Sequence, residues 1–130
     1  MSALAASILT VEDDPIIRAD LRLVLEAAGF SVPAEAQDGV EAIDLAREHA
    51  PDAILLDLGL PRLDGVEATR RILEGHPAVT VFLCSTYDAA DLPTDAPSSG
   101  AAAYVHKEHL SPTTLERLWS QRAAGSFVTD

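Results

Sequence analysis

Chemically capable residues in this chain of 130 amino acids stand directly after short apolar runs. Glu12, Asp13 and Asp14 close the run Ser7 to Val11, and Asp57 ends Asp52 to Leu56. Ser85 and Thr86 follow Thr80 to Cys84, and Lys107 follows Ala102 to His106. Gathered in one pocket, Glu12, Asp13 and Asp57 would repel one another, and one of them would take up a proton unless a metal neutralised the group. Carboxylates joined by a backbone carbonyl and water are the donor set a hard octahedral ion such as Mg²⁺ prefers. A lysine nearby can pair with Asp57 or with an oxygen of a bound phosphoryl group, and a serine hydroxyl can donate to another such oxygen. The chemistry these types imply together is phosphoryl transfer, with a carboxylate oxygen attacking in line while metal and lysine hold the charge.

Taken singly, each residue has a plainer reading. Asp14 before Pro15 is a helix N-cap, Asp57 alone could cap its loop, and isolated lysines and serines are mostly solvated. The joint placement after successive runs is what points to a site. His49, His76 and His109 form no metal-ligand spacing, His106 reads as structural, and Cys84 as a small core residue.

The elements that must position these residues alternate. Ser7 to Val11, Ser31 to Ala36, Asp52 to Asp57, Thr80 to Cys84 and Ala102 to His106 read as strands, the third apolar on both faces as in a central parallel strand. Between them, Ile17, Leu21, Leu25 and Ala28 make one helical stripe closed by Gly29. Asp38-Gly39 opens a helix to about His49, and Gly65 opens one carrying Val66, Thr69 and Leu73. Ser111-Pro112 announces a last helix burying Leu115, Leu118 and Trp119. Alternation of this kind implies right-handed crossovers and a parallel sheet covered on both faces, with ligands beyond the carboxyl ends of its strands. Pro93 and Pro97 lie between strands four and five, so no regular helix of normal length is expected from Asp91 to Gly100.

Length suits a single domain, 1–130, with a core at about 6–122 and a short tail at 123–130. With 9 basic against 21 acidic residues the net charge is −12, which argues against direct nucleic-acid contact by a basic face. One cysteine excludes an internal disulfide, and the opening residues lack a basic leader or a membrane-length apolar run. A cytoplasmic protein is expected.

Val11-Glu12-Asp13-Asp14-Pro15, the stretch from Pro51 to Pro61 followed by Asp64-Gly65, and Gly100-Ala101 to Lys107 closely resemble the receiver domain of two-component response regulators. The resemblance spans nearly the whole chain, with the motifs in the family's order and spacing. It implies a flavodoxin-like (CheY-like) five-stranded parallel α/β sheet of order 2-1-3-4-5. It implies that Asp57 accepts a phosphoryl group from a phosphohistidine on a sensor histidine kinase or phosphotransfer protein. Asp13 would ligate Mg²⁺ directly, Glu12 largely through water, and the Gly59 carbonyl would complete the protein ligands beside Asp57. Lys107 would pair with the phosphoryl group. Ser85, with Thr86 next to it, occupies the family's switch position, and Tyr104 that of its switch aromatic. Gly59 and Tyr87 would flank the phosphate.

Two departures stand out. Glu108 follows Lys107 where most receivers carry Pro, and the irregular segment Leu92 to Gly100 replaces a regular fourth helix. Competing readings are a small Mg²⁺-dependent aspartyl-phosphate phosphatase or phosphotransferase, a nucleotide- or flavin-binding module, and a degenerate receiver acting as a scaffold. Gly59 stands where the phosphatase motif has a second Asp, and no GxGxxG or Walker A stretch is present. The chain is expected to be a non-enzymatic acceptor that signals through a downstream protein or an output domain outside this sequence, with a homodimer as a further candidate assembly.

Overall fold

A computed structural model describes residues 6–124 and 127–130. The elements run β1 (Ile8–Val11), α1 (Pro15–Ala27), β2 (Glu35–Ala36), α2 (Gly39–His49), β3 (Ala53–Asp57), α3 (Gly65–Gly75), β4 (Thr80–Ser85), β5 (Ala103–His106), α4 (Pro112–Ser120) and β6 (Val128–Thr129). All pair in parallel in one sheet of order β2-β1-β3-β4-β5-β6.

Every helix begins on a short polar cap. Asp14 accepts from the Ile16 N–H at 2.8 Å, Asp38 from Glu41 at 2.8 Å, Asp64 from Val66 at 3.0 Å, and Ser111 from Thr114 at 3.1 Å. Each satisfies a donor that the first helical turn leaves unpaired. The end of α1 follows the Gly29 reading. Gly29 takes φ +102°, its N–H reaches the Glu26 carbonyl at 3.0 Å, and the Phe30 N–H reaches Leu25 at 3.1 Å. That double closure is the Schellman arrangement, for which a residue without Cβ is suited.

The sheet divides the core by strand parity, since successive side chains point to opposite faces. Leu9, Val11, Ile54, Leu56, Leu83 and Tyr104 pack against α2 and α3 through Ala42, Ala46, Val66 and Ile72. On the other face Ile8, Leu55, Phe82 and Val105 meet Leu21 and Leu25 of α1 and Leu115 and Leu118 of α4. β1 and β3 are buried throughout, as the continuous apolar runs predict.

The expected strand order is present, but the sheet has a sixth strand. Val128–Thr129, expected to lie in a short tail, pairs in parallel beside β5, where the Asp130 N–H donates to the Tyr104 carbonyl at 2.8 Å and the His106 N–H to the Asp130 carbonyl at 2.9 Å. Strand two is shorter than expected: only Glu35–Ala36 pairs continuously, with a single bridge from Ser31 to Ser7. Trp119 is half-buried, its ring edge-on to Phe30 with centroids 5.6 Å apart. Between β4 and β5 no α-helix forms. A 3₁₀ turn at Ala89–Asp91 gives way to tight turns held by the Ala96 N–H on Pro93 and by Ser99 Oγ on Ala96.

Candidate functional site

Parallel pairing puts the ends of β1, β3, β4 and β5 at one edge of the sheet. The end of β3 carries Asp57 there, aligned with Cys84, and Ser85 aligns with His106. Gly65 lets α3 begin hard against this strand. A Cβ at that position would lie 2.8 Å from the Leu58 Cα and 3.0 Å from the Asp57 carbonyl oxygen, closer than packed atoms tolerate.

The ammonium of Lys107 is the centre of the arrangement. Its Nζ donates to Glu12 Oε1 at 2.7 Å and to Asp57 Oδ2 at 3.0 Å. The remaining oxygens are also engaged: Glu12 Oε2 accepts from the Asp14 N–H at 3.2 Å, and Asp57 Oδ1 from the Gly59 N–H at 3.0 Å. Glu12 and Asp57 are buried, whereas Asp13 is exposed at the rim. Carboxylate oxygens of all three lie within 4.8 Å of one another.

Burial raises the Glu12 carboxyl above the usual glutamate range, outweighing the hydrogen bonds from Lys107 and Asp14, and the charge of Asp57 adds to the rise. Burial opposes the Lys107 ammonium, but the hydrogen bonds to Glu12 and Asp57 and the charges of both carboxylates win, raising it well above an ordinary lysine. Both partners are thus raised, Lys107 by the pairing and Glu12 by burial in spite of it. Lys107 faces two carboxylates, while the more deeply buried Glu12 faces one ammonium and a competing anion.

Three carboxylates against one ammonium leave an excess of negative charge on an all-oxygen donor set open to solvent at Asp13. That chemistry fits a hard divalent cation, and Asp13, Asp57 and Glu12 are the residues that could hold or orient one. Among the described residues this is the one such group, and the histidines contribute to none.

Ser85, at the end of β4, makes its hydrogen bonds to Tyr104 and Tyr87. Its Oγ lies 2.8 Å from the Tyr104 hydroxyl and accepts from the Tyr87 N–H at 3.0 Å. The Tyr104 hydroxyl also reaches the Ser85 carbonyl at 3.2 Å and contacts the Tyr87 carbonyl. One pattern satisfies these contacts: Ser85 donates to the Tyr104 oxygen, and Tyr104 donates to a main-chain carbonyl. Burial raises the Tyr104 phenol, so it remains a donor at neutral pH. Thr86 and Tyr87 have exposed side chains, and the Thr86 carbonyl is taken by the His106 ring. A Cβ at Gly59 would sit 3.7 Å from Asp57 Oδ1, so this position does flank the carboxylate. Cys84 is buried below the site, and burial together with the charge of Asp57 keeps its thiol protonated.

Two polar contributors were not legible as site residues. Arg18, one turn into α1, donates to the Glu12 carbonyl at 2.8 Å, although its sequence position suggests only a solvated helix face. His106, expected to be structural, bonds only main-chain groups through its ring, the Thr86 carbonyl and the Glu108 N–H, both at 3.0 Å and on either side of the site.

A doubly wound parallel sheet with its polar cluster beyond the carboxyl ends of the strands defines the class of open α/β domains that bind ligands at that edge. The family model described as the response regulator receiver domain matches residues 8–118, and the chain belongs to that family. It is 30% identical over 122 residues to the transcriptional regulatory protein DegU of Brevibacillus brevis, covering 93% of this chain and 52% of that protein. It is also 30% identical to the chemotaxis protein CheY of Halobacterium salinarum, covering 88% of this chain and 95% of the relative. A crystal structure of a LuxR-family two-component response regulator from an Aurantimonas species superposes with a TM-score of 0.84 at 33% identity, covering 95% of this chain and 89% of that one. The chain therefore spans about half of DegU and nearly all of CheY. No described helix is long and apolar enough to cross a membrane.

Proposed function

We propose that this chain is a single phospho-acceptor domain in which Asp57 takes a phosphoryl group from a phosphohistidine on a sensor kinase or phosphotransfer protein. The observation that carries this reading is the Lys107 ammonium shared between Glu12 and Asp57 at 2.7 and 3.0 Å. A lysine so placed lies beside the attacking Asp57 oxygen and is positioned to meet the negative charge of the incoming group. An Asp57 oxygen forms the bond to phosphorus as the P–N bond to the donor imidazole breaks, leaving the electron pair on the imidazole nitrogen.

Mg²⁺ held by Asp13, Asp57 and the Gly59 carbonyl would neutralise charge on the phosphoryl oxygens. Glu12 already gives one oxygen to Lys107 and the other to the Asp14 N–H, which supports an indirect role for it. Ser85 leaves Tyr104 to donate to the phosphoryl group, and freeing the phenol alters the surface around Tyr87. Thr86 is carried with this loop through its main chain, and Gly59 and Tyr87 bound the access of water to the phosphate. The domain acts as an acceptor and switch in the cytoplasm, not as an enzyme turning over an external substrate. Its output is a protein contact, made with a separate partner, a further domain or a second copy.

Incubation with Mg²⁺ and a small phosphodonor, followed by intact mass measurement, tests the reading. One hydroxylamine-labile phosphoryl adduct is expected, absent in Asp57→Asn. An adduct that persists in Asp57→Asn, or steady turnover of small phosphoesters by the wild-type chain, overturns it.

A further inference from the structure

The His106 ring lies across the backbone of Lys107. Its Nε2 is 3.0 Å from the Thr86 carbonyl oxygen, and its Nδ1 is 3.0 Å from the Glu108 backbone nitrogen. A carbonyl can only accept and an amide N–H can only donate, so one form of the ring satisfies both contacts: neutral imidazole with its proton on Nε2. The ring thereby joins the residue after Ser85 to the residue after Lys107. It also starts the 3₁₀ turn Lys107–His109, whose first N–H groups need an acceptor. From the main-chain side, the His106 N–H is fixed on the Asp130 carbonyl at 2.9 Å. The conformation that aims the Lys107 stem at Asp57 is therefore held on three sides.

Glu108 makes this possible. A proline at this position would have no N–H to give and would leave Nδ1 without its partner. We propose that His106 is a positioning residue for phosphoryl transfer, fixing Lys107 and the Ser85–Thr86 loop relative to each other in place of the rigidity a proline would supply. The inference rests on the assignment of Lys107 to the phosphoryl site. It concerns only how that lysine is held.

The test is the rate of phosphoryl uptake from a small phosphodonor at saturating Mg²⁺, with the full chain and intact mass as readout. His106→Leu keeps similar bulk and removes both contacts, and uptake is expected to fall about tenfold, as misplacing a reacting group by a fraction of an ångström does. His106→Gln can both accept and donate over a similar reach, and should recover to within about threefold of wild type. Circular dichroism and the urea midpoint of each variant serve as the folding reference. Uptake at the wild-type rate in His106→Leu overturns the proposal. So does a Gln variant as slow as Leu at equal stability, which would reduce His106 to a packing residue. Nitrogen-15 shifts of the ring at pH 8 offer a check independent of activity, and a proton on Nδ1 would also defeat the assignment. Lys107→Ala separates the two levels. Normal uptake in that variant overturns the role of the lysine itself, whereas impaired uptake there with normal uptake in His106→Leu overturns only the positioning role.

Discussion

Lys107 and Glu12 show how burial and pairing compete within one contact. Glu12 is 1% exposed, and its carboxyl is raised mainly because burial disfavours the ion. A carboxyl raised on folding contributes stability that is fully present below the ordinary glutamate value of 4.5, and loses it as pH rises through the folded value. Lys107 is raised as well, so its contribution holds below the ordinary lysine value of 10.5 and is lost only in strong alkali. Between those limits the lysine offsets the cost of ionised Glu12. Lys107→Met removes the offset and leaves Glu12, Asp13 and Asp57 facing one another. Its destabilisation relative to wild type is expected to be about 1–3 kcal/mol at pH 7.5 and to shrink toward pH 4, where the raised Glu12 carboxyl binds a proton. Urea unfolding of both proteins in metal-free buffer at the two pH values checks this. An equal difference at both would show that the loss is one of packing. These residues were legible because each breaks an apolar run with a polar group at a strand end. The Ser85–Tyr104 bond was not, because only the register of Leu83 with Tyr104 puts residues so far apart in the chain within reach. The resemblance to receivers points to both residues without showing that the serine hydroxyl is bonded to the tyrosine.

At the scale of elements, legibility follows length and capping. β1, β3 and β4 are continuous apolar runs, and their helices start on Asp or Ser caps visible in the sequence. β2 and β6 have two paired residues each, and a strand that short is selected by the edge it meets more than by its own composition. β6 is nonetheless tied down at several points. Phe127 packs on the core face of α2 and α3, Val128 on the opposite face, and the Asp130 carboxylate pairs with Arg117 of α4. Removing residues 127–130 uncovers the β5 edge beside Tyr104 and His106 and frees their main-chain groups. A loss of about 1–3 kcal/mol is expected from the apolar area and hydrogen bonds together, with faster amide exchange concentrated in β5. Exchange that quickens evenly over the whole sheet would instead mean that β6 supports the fold generally and not that edge.

The whole molecule carries −12 on 130 residues, and part of that charge is concentrated where three carboxylates converge. The two kinds of negative charge answer differently to cations. Dispersed surface acids respond to ionic strength, because salt screens them at separations near 10 Å. A converging oxygen set responds to a hard divalent ion at concentrations too low to screen anything, because binding only the folded state stabilises it by mass action. At a Mg²⁺ concentration ten times the dissociation constant that stabilisation is about 1.4 kcal/mol, enough to move an unfolding midpoint measurably for a domain this size. Wild type is therefore expected to gain stability with millimolar Mg²⁺ against a constant background of 0.1 M NaCl. Asp13→Asn should gain far less, since it removes the solvent-facing carboxylate while leaving the Lys107 bridge intact. Raising NaCl alone should shift both proteins alike, because one charge in so acidic a chain scarcely alters general repulsion. Thermal unfolding over the matrix of the two cations and two proteins decides the matter. An equal Mg²⁺ response in Asp13→Asn would mean that the acids at the strand ends are simply part of the acidic surface.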